Sequence, residues 1–121
     1  MTFPVEIWLR GDNHATSATL PLERTPESWT DEDVAKVLSQ MLRAIDRARH
    51  PETAADRPIA LRGFSWIVNP FEGGVVIALE MTLGAIIGGP FDIHEGQLSA
   101  MIHRVMKAER EHTGTPTATV H

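Results

Sequence analysis

The chain contains no cysteine. That removes disulfides, thiolate metal sites and cysteine nucleophiles together, and it makes a reducing compartment the natural setting. Long apolar runs are missing as well. The most apolar stretch, Val75-Val76-Ile77-Ala78-Leu79, is far shorter than the roughly 20 residues a membrane-spanning helix needs. The first residues, Met1-Thr2-Phe3-Pro4-Val5-Glu6, have neither the basic start nor the apolar core of a secretory signal, so a cytoplasmic protein with no membrane partner is expected. Positive charge is also scarce. Eleven Lys and Arg stand against 16 Asp and Glu, and the net charge of -5 repels a phosphate backbone. The basic cluster Arg43, Arg47 and Arg49 is interrupted by Asp46 and reads as a solvated helix surface, so no nucleic-acid partner is expected.

What remains suits one folded domain. At 121 residues, with 42% hydrophobic and 22% charged, the chain is long and apolar enough for a single core. Val5, Ile7 and Leu9 alternate with Glu6, Trp8 and Arg10, the period of a strand with one buried face. The turn-like Gly11-Asp12-Asn13-His14 follows, and then Ala18, Leu20 and Leu22 alternate again, so a β-hairpin is predicted. Thr30 precedes three acids and stands as the N-cap of a helix, with Trp29 and Val34 as a staple across it. Behind the cap, Val34, Val37, Leu38, Met41, Ala44, Ile45 and Ala48 recur at helical spacing up to His50-Pro51.

The proline-flanked residues 50–58 read as a crossover. A second hairpin is predicted over residues 59–69 and 74–83, joined by a longer loop at Asn69-Pro70-Phe71-Glu72-Gly73-Gly74. Residues 84–90, rich in glycine, read as a loop or bulged strand end. A second helix then starts with Asp92 as cap and Glu95 three residues on, and buries Ile93, Leu98, Met101, Ile102 and Val105. The expected fold is α+β, ββαββα: an antiparallel sheet with two helices on one face, within residues 1–112. A frayed, disordered tail is expected over 113–121. The repeated order of hairpin then helix raises the idea of a duplicated ββα unit, since a 60-residue shift lays Leu38 on Leu98 and Met41 on Met101.

Side chains in register share a face of a sheet. A two-residue turn at Asp12-Asn13 sets Ile7 opposite Ala18 and Val5 opposite Leu20, while the second hairpin sets Val68 opposite Val75 and Trp66 opposite Ile77. These rows make the expected core. The other face keeps Glu6, Trp8, Arg10, Ser17 and Thr19, with Ser65, Ile67, Val76, Ala78 and Glu80. Trp8, Ile67, Val76 and Ala78 make it more apolar than solvent alone requires. Two uses follow: a homodimer packed through these faces or through edge strands, or a groove for a small molecule or protein partner, walled by Trp8 with Arg10 beside it.

Groups that carry chemistry are sparse. Glu80 interrupts an apolar strand and is a candidate acid or base, although alternation also places it at a solvated or Arg-paired position. His94-Glu95 begins like a zinc-protease helix, but Leu98 stands where the second histidine is needed. His94 and His103 point to opposite sides of one helix, so no metal site is expected. The glycine-rich residues 84–90 match no phosphate-binding fingerprint, although their place before a helix suits an anion. No cofactor is implied. The leading expectation is a non-catalytic interaction or small-ligand-binding module, homodimeric. The alternative is a small enzyme whose site forms at a dimer interface from Glu80, Arg10, Arg62 and His94.

Overall fold

The computed structural model describes residues 1–51 and 59–119, residues 112–119 by their backbone alone; the crossover stretch 52–58 and residues 120–121 lie outside the described residues. Strands β1 (Thr2–Leu9) and β2 (Thr16–Pro21) form the first hairpin and helix α1 (Asp31–Arg49) follows. Then come β3 (Ser65–Phe71), β4 (Gly74–Met81), β5 (Gly84–Phe91) and helix α2 (Glu95–Thr119). The strands make one antiparallel sheet in the order β2-β1-β5-β4-β3. The class is α+β, and each hairpin is followed by a helix in the expected order.

The glycine-rich stretch is not a loop. It forms β5, a central strand paired with β1 through Val5↔Gly88 to Leu9↔Gly84 and with β4 through Ile77↔Gly88 to Met81↔Gly84. From Gly84 to Gly88 its residues are paired in both ladders. The glycines answer to crowding. A Cβ on Gly88 would lie 3.2 Å from both Met41 Cε and Phe3 Cε2, so the bare position lets α1 settle on the sheet. Near its end β5 bulges, because Val75↔Phe91 and Ile77↔Gly88 leave Val76 facing Gly89 and Pro90. Gly89 takes φ 118° there, which a side chain would resist. Among the described residues the first half of the chain has no counterpart to β5.

The hairpin registers differ from expectation by two residues. The turn after β1 is longer, so Val5 pairs with Ala18 and Ile7 with Thr16. The second turn is shorter, closed by Glu72 at φ 51° and Gly73 at φ 82°, so Val68 pairs with Ile77 and Trp66 with Leu79. A slip of two residues keeps every side chain on its expected face.

Helix α1 starts at Thr30, whose hydroxyl accepts from Asp33 N–H at 3.3 Å while Asp33 Oδ2 accepts from Thr30 N–H at 2.9 Å. Its apolar stripe lies over β1 and β5, and α2 lies over β3. Between helices and sheet sit Phe3, Val5, Ile7, Leu38, Met41, Ile45, Ile77, Leu79, Ile86, Leu98 and Ile102, each buried. Phe91 closes one end, with Phe3 at 5.1 Å and Trp29 at 5.0 Å between ring centres. Arg104 of α2 grips Asp31 of α1 through both oxygens, at 2.8 and 2.9 Å, and fixes the helices side by side. The α2 backbone stays helical to Thr119, past Thr113 where the frayed tail was expected to begin.

Filling the bare position with Gly88→Val should cost about 1–3 kcal/mol through overpacking against Met41 and Phe3, read from the urea midpoint at constant slope.

The Arg104 hydrogen bond lowers the pKa of Asp31, against a smaller opposing effect of partial burial. The Thr30 backbone N–H lowers that of Asp33, helped by the Thr30 hydroxyl and by Arg24 and Lys36. Both carboxylates therefore add stability that is fully present above their unfolded pKa, near about 4, and is lost as pH falls through the lower folded values. Urea unfolding should show stability level from neutrality to about pH 5 and declining below about pH 4. Arg104→Gln should reduce that decline by removing the Asp31 share.

Candidate functional site: the open face of the sheet

Both helices cover the same face of the sheet, and the opposite face has no element of the described chain on it. Three rows of side chains cross it. One runs Trp8, Ala85, Glu80, Ser65; the next Ser17, Glu6, Ile87, Ala78, Ile67; the third Thr19, Pro4, Val76, Asn69, interrupted at the β5 bulge. Trp8, Ile67 and Phe71, at 37%, 52% and 50% exposure, are large apolar side chains left in water on this face.

Part of this face is concave. A groove of about 690 Å³ crosses all five strands, with Pro4, Val76 and Ile87 on its floor and Phe71 at one end. Glu6, Ser17 and Thr19 line it beside them. Pro4 fits here without cost to the sheet, because pairing of β1 with β5 begins only at Val5↔Gly88. The lining is thus mostly apolar, with one carboxylate, two hydroxyls and no basic side chain.

Trp8, Ile67, Val76 and Ala78, singled out as binding residues from the sequence, do share this face, and of them Val76 lines the groove. Arg10 lies beyond the end of β1, where its backbone N–H donates to Leu83 and its Nε to the Thr82 carbonyl at 2.9 Å. It borders a shallow depression with Glu80, Ser65 and Phe64. Arg62 is exposed on the chain leading into β3.

His94 stands at the other end of the sheet. Chain leaving β5 turns through Asp92, with Ile93 N–H bonded to the Phe91 carbonyl, so the helix starts later than expected and Asp92 is not its cap. His94 takes that place: its carbonyl accepts from Leu98 N–H and its Nδ1 from Gly96 N–H at 3.1 Å. The length of β5, about 23 Å at strand rise, separates His94 from Arg10 and Glu80. One chain therefore does not gather the four residues of the alternative catalytic set. His103 packs edge-on against Trp66 at 4.9 Å. Among the described residues no group of three or more His, Asp and Glu comes together for a metal, and no described helix is long and apolar enough to cross a membrane.

Pro4, Phe71 and Ile87 were missed by sequence reasoning. Ile87 lies on the stretch read as a loop or bulged strand end, and Phe71 on the residues given to the longer turn. Pro4 precedes the Val5-Ile7-Leu9 alternation that marked β1.

No family model, no curated protein and no solved structure matches the chain.

Two isoleucines on adjacent, oppositely facing positions of the sheet test which face is free. Ile77→Ala, in the core, should cost about 2–5 kcal/mol, whereas Ile67→Ala should stay within about 0.5 kcal/mol. Equal losses in urea unfolding would mean that the face around Ile67 is covered in the free protein.

Proposed function

We propose that the protein is a non-catalytic, homodimeric binding module of the cytoplasm, and that the groove across its open sheet face takes a small amphipathic molecule. The observation that carries this reading is the lining itself. Apolar area from Pro4, Phe71, Val76 and Ile87 suits a flat apolar body, and the volume of about 690 Å³ falls among small-molecule sites. Glu6, with Ser17 and Thr19 beside it and no basic side chain in the lining, favours a donor or cationic head over an anionic one. The ligand class is thus an apolar ring or chain bearing an amine. A catalytic role has less support: within one chain Arg10 and Glu80 lie far from His94, so that site needs a second copy to complete it, and His94 Nδ1 is occupied by Gly96 N–H.

Naphthylethylamine, naphthylethanol and naphthylacetate share a ring system and differ in head group. Titration calorimetry should rank them amine first, alcohol second, carboxylate last. Glu6→Gln should remove the advantage of the amine over the alcohol, and Phe71→Ala should weaken amine and alcohol alike by about tenfold. Absence of saturable binding, or affinities indifferent to both substitutions, would reject the reading.

A further inference from the structure

The sheet has two edges, and they are built differently. On β3 the tight turn at Glu72-Gly73 makes Phe71↔Gly74 a hydrogen-bonded pair, so the alternation of an antiparallel ladder turns the backbone of Pro70 outward. Proline has no N–H to offer there, and α2 packs along the same strand. That edge is blunted in the usual way.

On β2 the outward proline, Pro21, is the last residue of the strand, so the middle of that edge is left open. Its six residues, Thr16-Ser17-Ala18-Thr19-Leu20-Pro21, are uncharged and all exposed except half-buried Leu20. Even Ala18, on the side where the helices lie, is exposed. Leu22 N–H donates to the Met1 carbonyl at 2.8 Å, which fixes the ladder phase: Phe3↔Leu20, Val5↔Ala18 and Ile7↔Thr16 are the hydrogen-bonded pairs. Ser17 and Thr19 therefore present both N–H and C=O to the outside.

We infer that this edge pairs with the β2 edge of a second copy, antiparallel, about a two-fold axis at Ala18. In that register Ser17 of one copy exchanges N–H···O=C bonds with Thr19 of the other, and the axis repeats the exchange. The small Ala18 meets its own copy at the centre, and Thr16 meets Leu20. Asp12 and Arg24 lie on opposite sides of β2, equally far along the chain from Ala18, so the antiparallel two-fold brings the Asp12 end of one strand toward the Arg24 end of the other, where Arg24 also lies 3.7 Å from Asp33 of its own chain. Each copy carries a net charge of -5, and an uncharged strand is the contact that such a pair tolerates. The Glu6 residues lie three strand spacings apart and two residues out of step, about 16 Å, which exceeds the screening length of about 8 Å. The two sheets become one, with all helices on one side, and the grooves on the other side adjoin because Ser17 and Thr19 line the end of each.

Light scattering coupled to size exclusion tests this. The unmodified chain should be dimeric. Ala18→Lys and Ala18→Glu each place like charges at the axis and should weaken self-association by about a hundredfold or more, leaving monomers. An equimolar mixture of the two should form a heterodimer, which no general loss of folding explains. Ser17→Pro, which deletes one outward N–H and none that bonds β1, should also give monomers. Phe71→Ala should leave the dimer intact, so a failed groove and a failed interface are told apart. A monomeric unmodified chain overturns the inference, whatever else it binds. So does a dimer that survives both Ala18 substitutions, or one lost on Ile67→Asp in place of them.

Discussion

Strand β5 is the constraint on which the rest depends. It lies between the two hairpins and hydrogen-bonds to both, so without it the chain holds two ribbons, each too small to be stable alone. Its position demands that α1 approach closely, and Gly88 meets that demand by leaving Met41 and Phe3 the space a side chain would take. Ile86 on the same side is fully buried, while Ile87 on the other side lies in the groove. The same strand therefore anchors the core and floors the candidate site.

One-sidedness follows from the helices. Arg104 and Asp31 clamp α1 and α2 beside each other, and together they cover β1, β5 and β3 from one side. The aromatic group of Phe3, Trp29 and Phe91 seals that layer at its end. No described element is left to cross to the far face. An antiparallel sheet tolerates water there, but Trp8, Ile67 and Phe71 give it more apolar area than solvation needs.

Much of this was legible in the residues. The alternation of Val5, Ile7 and Leu9, the Thr30 cap and the stripes from Val34 and Leu98 located two hairpins and two helices, and they sorted the faces correctly although both registers were off by two. That tolerance is physical, because side chains repeat every second residue and only an odd slip exchanges faces. The missing strand has a physical cause too. Residues 84–90 hold glycines because their neighbours crowd them, and sequence periodicity sees composition without neighbours. The turn at Glu72-Gly73 was overestimated because Asn69, Pro70 and Phe71 resemble a loop, whereas Pro70 sits at a sheet edge where its missing N–H costs nothing. The cap of α2 went to Asp92 because acids cap helices more often than histidines, yet the exit from β5 carries the chain two residues further before it can coil.

The open face and the free edge bear on each other through β2. That strand forms one rim of the groove, and its Ser17 and Thr19 point side chains onto the open face while their backbone groups point off the edge. A strand whose outer backbone groups are bonded to water is freer to move than one held on both sides. Pairing at the edge would fix the rim, and a ligand spanning Ser17, Thr19 and Glu6 would fix it likewise. Each event would then lower the ordering cost of the other, so association and ligand binding through this strand favour one another without any change of fold.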